Sequence, residues 1–190
     1  MLSARLLLVR HGQSTYNAQA RLQGQADPPL SEAGRREAEL LAPALARFPE
    51  DRVVTSDLLR ARETAALLGY PDARPDARWR EIDVGAWAGR PLSDFPHESE
   101  TAWRGGHLHA GDGESWGDLQ ARVGGALDEL VAAGDSWLVV CHGGVVRAAL
   151  SHVTGADPRR VSGPANASVT IFRAGAEPRL EAYAWTPGGV

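Results

Sequence analysis

Lysine is absent from this chain: all 20 basic residues among its 190 are arginines. That absence excludes Schiff-base catalysis and the phosphate loop built on Gly-Lys-Ser/Thr. A bound phosphate would have to be held by arginine forks, backbone amides or histidine. Cysteine is nearly absent too, and Cys141 alone cannot form an intramolecular disulfide. There is no charged-then-apolar leader pattern and no apolar run of membrane-spanning length, so the expectation is a soluble, cytoplasmic protein with no membrane partner. A basic surplus is also missing. The net charge of −4 argues against a nucleic-acid partner.

What is there fits one domain over residues 1–190, because a chain of this length with 43% hydrophobic residues can bury a self-sufficient core without splitting. Residues 6–9 are a short apolar run leading into Arg10-His11-Gly12. This is the pattern of a buried strand delivering polar residues at its C-terminal end, where sites of open α/β sheets lie. Ser31 can cap a helix to about Phe48, with Leu41, Leu45 and Phe48 on one face and Pro43 as a bend or break. Residues 52–55 read as a second strand. Ser56-Asp57 would then cap a helix through Leu68, closed by Gly69 and Pro71, with Arg60 in its first turn.

Residues 115–133 read as a long helix weakened by Gly124-Gly125, residues 137–141 as a strand ending in His142-Gly143-Gly144, and residues 145–153 as another helix. Residues 169–172 and 180–185 suggest a terminal hairpin or two edge strands. Strands alternating with helices imply an α/β fold of three layers: a mostly parallel central sheet with helices on both faces. The least regular stretch, residues 91–117, is rich in Gly, His and Trp and is expected to form a lid.

Two strand ends repeat one idea, since Val9-Arg10-His11-Gly12 and Val140-Cys141-His142-Gly143-Gly144 each place a histidine between an apolar strand and glycine. Glycine there lets a ligand approach the backbone. The motifs Arg10-His11-Gly12-Gln13-Ser14 with Asn17, Ser56-Asp57-Leu58-Leu59-Arg60-Ala61 with Thr64-Ala65, Glu81 four before Gly85, and His142-Gly143 resemble the histidine phosphatase superfamily. That superfamily includes the cofactor-dependent phosphoglycerate mutases. Gln23-Gly24, Leu30-Ser31-Glu32-Ala33-Gly34, Trp87-Ala88-Gly89 and Gly113-Glu114-Ser115 extend the resemblance from Leu6 to about Leu150.

The resemblance implies a phosphoglycerate mutase-like fold, a small phosphorylated substrate, and no metal or other cofactor. His11 would be the nucleophile, and Arg10, Arg60 and His142 the phosphate clamps. Ser14, Asn17, Gln23, Gly24 and Gly143 would be further substrate contacts, and Glu81 the proton donor. The chemistry fits these roles, because phosphoryl transfer demands positioning and charge neutralisation, and two arginines with a second histidine can supply what magnesium supplies elsewhere. Neighbouring guanidinium charge would also keep His11 neutral and nucleophilic. Asp83, two residues beyond Glu81, stays open as an alternative acid.

The rival patterns are weaker. Gly113-Glu114-Ser115-Trp116-Gly117 matches the serine-hydrolase elbow, with Asp135 and His142 following in order, but residues 108–112 do not read as the strand that motif needs. Ser115 is better read as a helix cap. His107 and His109 lack a third metal ligand, and Cys141 in an apolar strand is expected to be an inert buried thiol. A phosphoglycerate mutase is disfavoured because mutases of the family carry a longer insertion than the 61 positions between Glu81 and His142. An inactive phosphate-binding module is disfavoured because every catalytic position is filled. Oligomeric state stays open, homodimer included.

Overall fold

The computed structural model of the chain describes residues 4–46, 48–49, 52–95 and 112–187. Its centre is a six-stranded sheet in the order β3-β2-β4-β1-β5-β6. β1 (Ala4–Arg10), β2 (Val53–Thr55), β3 (Arg74–Pro75) and β4 (Ser136–Cys141) run parallel, whereas β5 (Val169–Ala174) is antiparallel to β1, and β6 (Arg179–Trp185) to β5. The closing hairpin is therefore half interior: β5 pairs on both sides, and only β6 is an edge.

The continuous apolar runs of β1 and β4 follow from burial on both faces. Leu6, Leu8, Val139 and Cys141 face one core with α4 (Trp116–Ala133) and α5 (Gly143–Thr154). Leu7, Val9, Leu138 and Val140 face another with α2 (Glu32–Leu45) and α3 (Leu59–Leu67). Three layers result, as the alternation of elements implied. Truncating Leu6, Leu8 or Leu138, all fully buried, to alanine should cost about 2–5 kcal/mol.

Local chemistry sets the helix limits. Ser14 caps the one-turn α1 (Thr15–Ala18) in a reciprocal pair with Asn17, Ser31 accepts from the Gly34 amide, and α2 buries Ala38, Leu41 and Leu45. It ends at Leu45 rather than Phe48, and Pro43 lies inside its last turn without ending it, because little helix remains beyond the lost bond. Ser115 caps α4 in a reciprocal pair with Asp118, and α4 runs through both central glycines. Trp116 and Gly117 thus belong to α4 and not to the expected lid.

The expected caps of α3 are corrected. Its N-cap is Leu58, without a side-chain bond. Ser56 Oγ accepts from the Leu58 amide at 3.3 Å, just before the helix, and Ser56 and Asp57 otherwise bond the remote partners described below. Residues 92–94 form a 3-10 turn, and most of the expected lid, with Trp103, Arg104, His107 and His109, lies outside the described residues. Among the described residues no helix is long and apolar enough to cross a membrane.

Candidate active site

Three neighbouring parallel strands, β2, β4 and β1, end side by side. The ladder continues one bond past each outer strand, with Ser56 N donating to Val140 O at 2.9 Å and His11 N to Cys141 O at 2.9 Å. Ser56, His142 and His11 thus emerge in a row at the C-terminal edge of the sheet, the usual position for a site in such folds. The two imidazoles stand edge to face with centroids 5.1 Å apart.

The tautomer of His11 follows from its partners. Nδ1 lies 2.7 Å from the Gly12 carbonyl, which can only accept, so Nδ1 carries the proton and Nε2 presents its lone pair. Arg60 Nε points at that lone pair from 3.3 Å. Burial, then the charges of Arg60 and Arg10, push the His11 pKa well below 6.5, with the Gly12 bond opposing weakly. His11 is therefore a neutral base aimed into its pocket at ordinary pH.

Arg60 comes from the buried stripe of α3, where a fully buried cation is rare without a task. Its Nη1 and Nη2 donate to the carbonyls of Ala26 and Gly24, each at 2.8 Å, and burial lowers its pKa to about 10. Thr64, one turn later, accepts from the Gly12 amide at 3.1 Å and ties α3 to the His11 loop. Close packing of that loop on α2 requires glycine at position 34, where a Cβ would lie 2.0 Å from the Gln13 carbonyl oxygen.

His142 sits opposite, its Nε2 2.8 Å from Ser56 Oγ. Burial first, then the charge of Arg60, hold it neutral, well below 6.5. Arg10 donates through Nη1 to the Pro164 carbonyl. Among the described residues, His142 Nδ1 and Arg10 Nε are buried without a hydrogen-bond partner. Each such donor or acceptor costs about 1–3 kcal/mol unless something supplies the bond. Beside them opens the N-terminus of α5, whose first amides and dipole also favour an anion.

Glu81 closes the site. Its Oε2 accepts from the Gly144 amide at 3.0 Å and its Oε1 from the Ile82 amide at 2.9 Å. A Cβ at position 144 would meet Oε1 at 2.2 Å, so only glycine admits this carboxylate. The alternative acid, Asp83, uses Oδ1 to accept from the Gly85 amide within its own turn.

The remaining candidates form a neighbouring group. Asn17 Oδ1 accepts from the amide and hydroxyl of Ser14, while Ser14 Oγ also lies 2.6 Å from Gln23 Oε1. Gly24 serves through its carbonyl to Arg60, and Gly143 starts α5 against the Arg10 side chain. Asn166 joins the two groups, donating to the His11 carbonyl and to Asn17 Oδ1. Asn166 and the Pro164 carbonyl escaped the sequence reading because they lie in a turn-rich stretch with no periodicity. The pairing of Ser56 with His142 was hidden behind a plausible capping role.

Cys141 is buried directly beside this centre, and burial pushes its thiol pKa up, which removes it as a nucleophile. The elbow pattern fails as well, because Ser115 is engaged as a cap and Asp135 pairs with Arg52. Among the described residues no cluster of three or more His, Cys, Asp or Glu could hold a metal.

The family model described as "Histidine phosphatase superfamily (branch 1)" matches residues 6–186. A glucosyl-3-phosphoglycerate phosphatase of Mycobacterium tuberculosis is 36% identical over 208 residues, spanning 99% of this chain and 89% of its own. A probable phosphoglycerate mutase of Yersinia enterocolitica is 34% identical over 166 residues, spanning 80% of this chain and 76% of its own. Among solved structures, a mycobacterial glucosyl-3-phosphoglycerate phosphatase complexed with VO3 superposes with a TM-score of 0.83 at 32% identity, covering 95% of this chain and 98% of that one. The family model matched over residues 6–186, together with relatives 34–36% identical over most of the chain, makes this protein a member of the histidine phosphatase superfamily.

Proposed function

We propose that the protein hydrolyses a small phosphomonoester through a phosphohistidine at His11. His11 Nε2 attacks phosphorus, the bond to the leaving oxygen breaks, and Glu81 delivers the proton that the departing alcohol needs. As the carboxylate, Glu81 then takes a proton from water, whose oxygen attacks the phosphohistidine and releases phosphate and neutral His11. Arg10, Arg60 and His142 neutralise the equatorial oxygens, joined by the Gly143 amide and by Asn17, whose Nδ2 is its remaining donor. Ser14, Gln23 and Gly24 support the reading as residues that hold Asn17 and Arg60 in place.

The observation that carries this proposal is the Nε2 lone pair of a buried, neutral His11 with Arg60 Nε 3.3 Å away. Metal independence is part of it, because two buried guanidiniums occupy the place of a metal clamp. A cytoplasmic setting also belongs to it, supported by a lone, unpaired cysteine. The relatives' names put phosphorylated glyceric acids and their glucosylated derivatives first among substrates to try.

The second reading, phosphoryl return to a phosphoglycerate, is favoured by the mutase-named relative and opposed by the short span from Glu81 to His142. The test is turnover of p-nitrophenyl phosphate and a phosphoglycerate panel in excess chelator. Free phosphate should appear and vanadate should block it. Strict dependence on added magnesium or zinc contradicts the proposal, and isomerised phosphoglycerate without free phosphate supports the mutase instead.

A further inference from the structure

Glu81 stands on neither a strand nor a helix. It lies between a 3-10 turn at Ala77–Trp79 and another at Gly85–Trp87, on chain with no sheet partner. Such a backbone must be held by side chains if its carboxylate is to stay within hydrogen-bond reach of a leaving oxygen. Burial of Trp79, Ile82 and Val84 anchors the stretch to the core without fixing its position along the chain direction.

Gln25 Nε2 donates to the Glu81 carbonyl at 3.3 Å, and most of the other fixing contacts come from α4 and the residue before its cap. Arg122 Nη1 donates to the carbonyls of Arg78 and Arg80 at 2.8 and 3.0 Å, and its Nη2 reaches the Glu81 carbonyl at 3.5 Å. Nε and Nη2 form a fork on Glu114 at 2.8 and 2.6 Å. These five contacts employ every nitrogen of the guanidinium fork. Glu114 continues the clamp, its Oε2 accepting from the Asp83 amide at 3.2 Å while its own amide donates to the Asp83 carbonyl at 2.8 Å. The backbone on both sides of Glu81 is thus bonded to one ion pair whose members are 21% and 14% exposed.

We infer that Arg122, oriented by Glu114, is a positioning residue for proton transfer through Glu81. Its hydrogen bonds go to backbone carbonyls and to Glu114; it sets the register of the acid against the α5 N-terminus. The inference rests on Glu81 as the acid. A misplacement of about 1 Å can cost about 100-fold in rate, and here the loss should fall only on reactions that need the proton.

The experiment measures kcat and KM for the wild type, Arg122→Gln, Glu81→Gln and the double variant on p-nitrophenyl phosphate and on an alkyl phosphate. Arg122→Gln should lower kcat/KM on the alkyl ester by about 10- to 100-fold and on the aryl ester by less than about threefold, because kcat/KM ends at departure of the leaving group and excludes the shared hydrolysis of the phosphohistidine, and it should add nothing in the Glu81→Gln background. If Arg122→Gln does not fold, Arg122→Lys keeps a cation beside Glu114 without the fork and should show the same selectivity, weaker in size. Equal losses of kcat/KM on both esters, no loss on either, or losses of kcat/KM that multiply with Glu81→Gln overturn the inference. If Glu81→Gln alone shows no leaving-group selectivity, the reading of Glu81 as the acid falls, and the inference with it.

Discussion

The half of the site proposed to face phosphorus stands on three strand ends and a helix, whereas the half proposed to face the leaving group stands on irregular chain held by side chains. His11, His142 and Ser56 are at most 2% exposed, and sheet hydrogen bonds lock the backbones of His11 and Ser56. Glu81 is placed by the α5 amide, by the Arg122–Glu114 clamp and by Arg80, whose guanidinium forks onto Asp57 at 2.7 and 2.6 Å. The first half is buried and tied to the sheet, suited to an invariant phosphoryl group. The second rests on partly exposed ion pairs, which substitutions can shift without unfolding the core.

This contrast makes the largest expected effect a break in the first half. Arg60→Lys should cut kcat/KM by about 10³-fold on every substrate alike, since a single ammonium cannot pair with His11, hold two carbonyls and clamp phosphate. A loss confined to poor leaving groups would merge the two halves. Glu81→Gln should instead separate them, lowering kcat/KM on alkyl phosphates by about 10²–10⁴-fold and on activated aryl phosphates far less. If Asp83→Asn shows that selectivity and Glu81→Gln does not, the acid is Asp83.

Ser56→Ala sharpens the first half. It leaves His142 Nε2 without its partner, at a cost of about 1–3 kcal/mol, which calorimetry should show as a Tm lowered by about 2–4 °C per kcal/mol. An unchanged Tm would mean that the hydroxyl does not hold the ring.

The smallest effect is the pH dependence of stability. Folding keeps His11 and His142 neutral, while the unfolded chain protonates them near the ordinary 6.5, so below that pH the unfolded state binds more protons and stability falls as pH drops. Each ring contributes a slope of about 1.4 kcal/mol per pH unit from there down towards its folded-state pKa. His11→Asn should flatten denaturant-derived stability by about one ring's slope between pH 6 and 5. No flattening would mean that His11 is not held neutral.

The same contrast explains what could be read in advance. Apolar runs ending in Arg10-His11-Gly12 and Cys141-His142-Gly143 carry the signal of buried parallel strands, and the sheet did the rest by setting those ends side by side. Glu81 carries no such signal. Nothing in the spacing of Trp79-Arg80-Glu81-Ile82-Asp83 separates two acids on irregular chain, and only family resemblance chose between them. Arg122 was invisible because a cation on a long helix reads as a solvated face until the fold supplies its carbonyl partners. Ser56 and Asp57 differ for a related reason: local capping rules describe neighbours in sequence, and although Ser56 Oγ still accepts from the Leu58 amide at 3.3 Å, the partners that matter to the site, His142 and Arg80, are remote.

The central claim is the covalent intermediate on His11, and rapid quenching of turnover with a labelled phosphomonoester tests it most directly. The account predicts acid-labile, base-stable label that maps to His11 and is lost in His11→Ala. Label recovered on Ser14, Ser115 or Cys141, or full turnover by His11→Ala, would contradict it.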